Sequence, residues 1–232
     1  MPAPTPHLNP SADLAGRVLL PGDPHRALAM AQALLDSPRM FNARRGLWGY
    51  TGTAADGSPL TIQSTGMGGP SAAIVVEELI RLGASTLIRT GTCGALVPDL
   101  ALGDLVAASR AIAADGASRA LGARGELAGD PGLTDALAAG GAHAAAIVST
   151  DLFYDPEPER LEGWRAQGAV AIEMEAAAVL AGAARHGVRA ACLLMVTDEL
   201  ASGERVRMEH EEIERHAARL GEVALAALGA AG

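Results

Sequence analysis

Short apolar runs and amphipathic stretches alternate along almost the whole chain. Arg17–Leu20 is an apolar run that stops at Pro21-Gly22, as a strand entering a tight loop does. Residues from Pro24 to Leu35 have helical spacing, with Asp23 placed as N-cap and Pro24 at the first helical position. Trp48–Thr53 and Leu60–Thr65 read as strands on either side of Asp56-Gly57, a hairpin signal. Gly66–Pro70 then reads as a loop and Ser71–Leu82 as a helix. Further strands are predicted over Thr86–Thr90, Asp104–Ala108, Ala145–Ser149, Ala169–Ile172 and Arg189–Val196. Helices are predicted over Glu157–Gln167, Glu175–His186 and about Val206–Leu228, while Ala117–Asp130 shows no clear period and reads as an irregular connection. Strands that alternate with helices in this way imply an α/β fold around a central, largely buried sheet. Without an internal repeat or a linker, a single domain over residues 1–232 is expected, with the Pro-rich, polar residues 1–16 as an N-terminal arm.

Composition narrows the chemistry. The chain has 232 residues, 49% hydrophobic and 19% charged, enough to bury a sizeable core. Aromatics make up only 3%, so Ala, Val, Leu and Ile must do most of the packing. The net charge is −9 with no basic tract, which argues against a nucleic-acid polymer or an anionic membrane as main partner. It leaves open a small anion held by a few Arg. All 18 basic residues are Arg, which excludes a Schiff-base lysine, a pyridoxal-phosphate enzyme and a P-loop. Cys93 and Cys192 are the only thiols, too few for a zinc ribbon or a disulfide framework. His210 and His216 stand six residues apart in a predicted helix and face different ways, so no metal site is expected there. Neither a G-x-S-x-G elbow nor a G-x-G-x-x-G dinucleotide turn is present. With no secretory h-region and no apolar run of 18 residues, a cytoplasmic protein is expected.

Four constellations carry chemistry. Leu20-Pro-Gly-Asp-Pro-His-Arg26 is a strand-to-helix turn whose backbone N–H groups, helix dipole and Arg26 suit an anion. Ile88-Arg-Thr-Gly-Thr-Cys-Gly94 places Arg89 at a buried strand, where a guanidinium is costly unless it meets an anion or a carboxylate. In Val170-Ala-Ile-Glu-Met-Glu-Ala176, Glu173 and Glu175 share one side if still extended, and such a carboxylate can accept bonds from vicinal hydroxyls. In Leu194-Met-Val-Thr-Asp-Glu199, Asp198 follows the longest buried strand and can act as a general acid in a desolvated pocket. An anion cradle, a hydroxyl-binding carboxylate and a candidate acid together suit transfer of a sugar between an anion and a base.

These stretches resemble the nucleoside phosphorylases of the bacterial, hexameric purine type, within the wider purine nucleoside and uridine phosphorylase group. The resemblance runs nearly end to end. It rests on Thr5-Pro-His-Leu-Asn9, Pro21-Gly-Asp-Pro-His-Arg26, Arg45-Gly-Leu-Trp-Gly-Tyr-Thr-Gly52, Gly66-Met-Gly68, Arg89-Thr-Gly-Thr-Cys-Gly94, Ser149-Thr-Asp-Leu-Phe-Tyr154, Glu173-Met-Glu-Ala176 and Thr197-Asp198. It implies a three-layer α/β/α fold with a central mixed sheet. It also implies that Gly22, Arg26, Arg89 and Thr92 hold phosphate, joined by Arg45 from a neighbouring subunit. Met174 and Glu175 would hold ribose, with Met67 close by, Glu173 beside the sugar–base junction and the neighbour's His7 at the 5′-hydroxyl. Phe153, Cys93 and Gly94 would line the base, and Asp198 would face the purine N7 and 6-substituent. The implied reaction is phosphorolysis of purine (deoxy)ribonucleosides in a homohexamer built as a trimer of dimers, with inorganic phosphate as co-substrate and no cofactor or metal.

The sequence departs from that pattern twice. Thr92 stands where a Ser is common, which keeps the hydroxyl, and Glu211 stands where purine enzymes of this type often back the acid with an Arg. Arg205 and Arg207 are the nearest substitutes. Arg160, soon after Phe153-Tyr154, keeps a uridine phosphorylase as an alternative. A nucleosidase of the same fold would use water and need no Arg cluster, and a binding protein without turnover would need no Asp198.

Overall fold

The computed structural model describes residues 5–157, 159–201 and 205–231. The chain opens with strand β1 (Arg17–Leu20), then helix α1 (Pro24–Leu34), whose N-cap Asp23 accepts bonds from the His25 and Arg26 N–H groups. Next come β2 (Leu35–Asn42), a 3₁₀ turn at Arg44–Gly46, and the hairpin β3 (Gly49–Ala54) and β4 (Pro59–Gln63). Helix α2 (Gly69–Leu82) leads to β5 (Thr86–Ala95) and β6 (Leu105–Ala113). After α3 (Gly116–Ala120), β7 (Glu126–Leu127), α4 (Pro131–Ala139), β8 (His143–Ser149), α5 (Glu159–Ala166) and β9 (Ala169–Glu173) comes helix α6 (Ala176–His186). The chain closes with β10 (Arg189–Glu199), β11 (Val206–Arg207) and α7 (His210–Ala230).

The eleven described strands form one mixed sheet. β1 pairs with β4 and β5 in parallel, and β5 with β10 in parallel. β10 also pairs antiparallel with β6, β6 and β8 run parallel, β8 and β9 run parallel, and β9 returns antiparallel to β5. Five strands therefore close on themselves within the larger sheet. Helices cover both faces. Ala72, Val75, Val76 and Leu79 of α2 pack with Ala176, Val179 and Leu180 of α6 over one face. Met30 and Leu34 of α1, Leu133 and Leu137 of α4, and Leu220 and Leu228 of α7 pack over the other. Small Ala side chains recur throughout both cores, as the low aromatic content requires.

Several boundaries differ from the expectation. β5 runs through Thr-Gly-Thr-Cys-Gly94 to Ala95, because pairing with β10 from Arg189 to Glu199 holds those residues extended. Asp198 therefore lies within β10 and not beyond it. The last helix starts at His210, since Val206 and Arg207 pair antiparallel with Glu199 and Asp198. The stretch read as irregular holds α3, capped by Asp115, and the short β7. No described helix is long and apolar enough to cross a membrane.

Candidate active site

One cavity of about 520 Å³ opens where β1, β5, β9 and β10 end. Gly22, Arg26, Met67, Arg89, Thr92, Cys93, Gly94, Phe153, Glu173, Met174, Glu175 and Asp198 all line it. Three local devices bring these distant segments together. Asp23 starts α1 and so turns Arg26 inward from the first helical turn. The loop after β4 is tied to the loop after β1 by Thr65 N–H to the Pro21 carbonyl (2.9 Å) and Gly66 N–H to the Gly22 carbonyl (3.0 Å). Glu173 ends β9 and Glu175 stands at the N-cap position of α6, and both carboxylates turn to Arg89.

Arg89 is the hinge of the charge network. Its Nε donates to Glu173 Oε2 at 2.8 Å, and its Nη2 forms an ion pair with Glu175. Burial works against charge on this guanidinium, but Glu175 and Glu173 more than offset it and hold its pKa above the usual arginine range. Glu173 is saturated: it also accepts from the Ser149 hydroxyl and from the Glu175 and Ala176 N–H groups (both 2.9 Å). Glu175 accepts from the Gly68 N–H at 2.5 Å, with Gly68 at φ 85°, a left-handed conformation suited to glycine. Burial raises the Glu175 pKa, Arg89 opposes the rise, and Glu173 adds to it.

Among the described residues, two buried donors at this end find no hydrogen-bond partner: Arg26 Nη1 and Arg89 Nη1. Burial pulls the Arg26 pKa below its ordinary value, and the nearby Arg89 pushes the same way, against Asp23 and Glu175. Two guanidinium groups that repel each other and each keep an unused buried N–H are complementary to a small anion.

The opposite end carries several apolar side chains. Leu152, Phe153, Leu161, Ile172 and Leu200 line it beside Asp198. Arg89 and Asp198 are paired with Cys192 and Gly94 on adjoining strands, so five residue steps, roughly 16 Å of strand, separate the two ends. A bulge at Thr197 interrupts the β5–β10 register just before Asp198. Asp198 Oδ1 accepts from Arg207 Nη1 at 3.1 Å, and Oδ2 from the Thr197 hydroxyl at 2.9 Å. Burial pushes both thiols, Cys93 and Cys192, well above the usual range, so neither is a ready nucleophile.

The two residues expected from a neighbouring subunit do not line this chain's own cavity. Arg45 is exposed in the 3₁₀ turn at φ 58° and does not line the cavity. His7 instead meets its own chain: its Nδ1 lies 2.6 Å from Glu78 Oε1. Arg160 turns to Asp155 and Glu157 and does not line the cavity, which removes the side chain that favoured a uracil reader. His210 and His216 face Glu214 and Glu212 respectively. Sequence reasoning missed Ser149, which orients Glu173, and named Arg207 as a candidate to back Asp198 without placing it there. The Ser149-Thr-Asp motif was a signal for the first, while the second depends on a strand pairing that sequence spacing does not reveal.

The sequence profile of the phosphorylase superfamily matches residues 17–231, and the chain belongs to that family. It is 37% identical to the DeoD-type purine nucleoside phosphorylase of Geobacillus kaustophilus, over 88% of this chain and 89% of that protein. It is 40% identical to the protein of the same name from Jannaschia sp., over 86% and 89%. The guanosine phosphorylase of Halorubrum lacusprofundi is also 40% identical, over 80% of this chain and 79% of its own length.

Proposed function

We propose that this protein is a purine nucleoside phosphorylase, converting a purine nucleoside and inorganic phosphate to the free base and ribose 1-phosphate. The observation that carries the reading is the pair of unpartnered guanidinium nitrogens on Arg26 and Arg89, in the same cavity as Asp198. The names of the relatives from three organisms support the same reaction class.

In this reading phosphate sits on Arg26, Arg89, Thr92 and the backbone at Gly22. Glu175 accepts from the ribose hydroxyls, with Met67 and Met174 against the sugar. Glu173 acts mainly through Arg89, which it orients. Phe153, Cys93 and Gly94 border the base. The C1′–N9 bond breaks with its electron pair leaving on the purine, and positive charge develops at C1′. A phosphate oxygen stabilises that charge and then forms the new C1′–O bond. Asp198, entering in its protonated form, passes its proton to N7 as the C1′–N9 bond breaks, so the base leaves as a neutral species and the carboxylate left behind is held by Arg207 and Thr197. Holding both reactants in one cavity supplies much of the acceleration. No cofactor is needed, since phosphate is the nucleophile.

The proposal extends to a single domain over the chain, a cytoplasmic location, and a homohexamer made as a trimer of dimers. There Arg45 and His7 complete a neighbouring site. The test is a panel of inosine, guanosine, adenosine and uridine, each with and without phosphate. Base release from the purine nucleosides should require phosphate or arsenate. Equal release in phosphate-free buffer would indicate a hydrolase, and preferred cleavage of uridine a pyrimidine enzyme.

A further inference from the structure

The base end of the cavity holds more hydrogen-bond donors than a lone carboxylate supplies. β11 lies antiparallel to the end of β10 with Arg207 opposite Asp198. Arg207 Nη1 is 3.1 Å from Asp198 Oδ1, and Arg205 Nε is 3.8 Å from the same oxygen. The other carboxylate oxygen accepts from the Thr197 hydroxyl. The remaining acids at this end have their own partners: Asp155 faces Arg160, and Glu214 faces His210. The Arg205 and Arg207 guanidinium carbons lie 4.2 and 5.6 Å from the Phe153 ring centroid. The Arg205 guanidinium thus lies over the Phe153 ring, with Arg207 further out, and both cations are held at the base end of the cavity.

We infer that Arg207, with Arg205 beside it, makes this site select purines that carry an oxygen at C6. The inference rests on the purine nucleoside phosphorylase reading and names the substrate class within it. A guanidinium group offers donors only. A 6-oxopurine presents acceptors at both N7 and O6, the edge by which Arg reads guanine bidentately. A 6-aminopurine presents an acceptor at N7 and a donor at N6, so one of the two contacts becomes donor against donor. Asp198 could receive that amino group only by sharing or releasing its bonds to Arg207 and Thr197.

The test compares kcat/KM for inosine, guanosine and adenosine at saturating phosphate. The 6-oxo substrates should exceed adenosine on the order of 10- to 100-fold, the range of one good bidentate contact. Arg207→Gln supplies an amide that both donates and accepts, as adenine requires. It should lower inosine and guanosine cleavage while sparing or raising adenosine cleavage. The Arg207 side chain is 52% exposed, so its replacement leaves the core intact. A wild-type enzyme that uses adenosine as well as inosine would overturn the inference. So would an Arg207→Gln variant that loses all three activities in proportion, because that is the signature of a structural role. Calorimetric binding of hypoxanthine and adenine separates this inference from the reaction it rests on. If no nucleoside is cleaved with phosphate, the phosphorylase reading fails. Hypoxanthine preference that disappears in Arg207→Gln would still support base selection, and equal binding of the two bases would overturn it.

Discussion

A β-carbon at Gly91 would lie 2.5 Å from Arg89 Nη2 and 2.6 Å from its Cζ, with Leu194 Cδ2 at 3.0 Å. The buried guanidinium therefore occupies space that any side chain at Gly91 would claim. Gly91→Ala should push Arg89 off Glu175, destabilise the fold by about 1–3 kcal/mol, and raise the phosphate KM roughly tenfold or more, the scale of one lost charge-assisted bond. Phosphate titration at fixed inosine, with a thermal melt, measures both; a native phosphate KM would separate Arg89 geometry from phosphate binding. Asp198→Asn removes the carboxyl group that donates to N7 in the proposed reaction, which a 6-amino substrate needs most. Adenosine turnover should fall by roughly 10²-fold, while 6-oxo substrates survive better because an amide and Arg207 still donate to O6. Unchanged adenosine kinetics would take Asp198 out of the reaction.

At the scale of elements, the described start of the N-terminal arm is pinned to α2 by one buried carboxylate. Glu78 accepts from the Leu8 N–H at 2.7 Å and the His7 N–H at 3.1 Å, and meets His7 Nδ1. Burial alone would raise its pKa, but the bonds from Leu8 and His7 outweigh that and leave it below the ordinary carboxylate range. A depressed carboxyl contributes stability that is full above its unfolded value of ~4.3, and is lost as pH falls through the folded value. Protection of the Leu8 amide against hydrogen exchange should therefore collapse below about pH 4, and at neutral pH in Glu78→Ala. An arm equally protected in that variant would show that Glu78 is not the latch. Elements of this kind were only partly legible beforehand. Asp23-Pro24 announces α1, and Asp56-Gly57 the β3–β4 hairpin, because caps and tight turns are local. β2 escaped because its burial does not alternate and it contains Pro38; α4 escaped between two glycine-rich stretches. The far half of β5 looks like a loop until β10 is laid beside it. The cavity residues followed from motifs, whereas the Arg207–Asp198 contact is a tertiary register that no local pattern encodes.

At the scale of the whole molecule, β2 forms one edge of the sheet, with Met40 exposed on it, and leads into the exposed Arg44 and Arg45. Among the described residues neither Arg side chain has an ion-pair partner in its own chain. A two-fold contact would let each chain lend these groups to its mate. Arg45→Ala should then raise the phosphate KM and His7→Ala the nucleoside KM. Mixing Arg45→Ala subunits with Asp198→Asn subunits should restore a fraction of native sites, because one pocket of each mixed dimer holds both intact residues. No rescue in verified mixed oligomers, or a fully active monomer by light scattering, would show that each chain completes its own site.

The Arg26, Arg89, Glu173 and Glu175 cluster has a further consequence for how the site treats its reactants over time. Two guanidinium groups and two carboxylates, all lining one cavity, balance to neutrality when both acids are ionised. An arriving phosphate then leaves this cluster with excess negative charge, felt strongly because Arg89, Glu173 and Glu175 are buried. That excess is relieved when the sugar becomes cationic, midway through bond exchange. The cluster thus favours the fleeting arrangement over the resting complex, which raises turnover more than it tightens ground-state binding. Phosphate alone should therefore be held loosely, and its affinity should rise when a nucleoside shares the cavity.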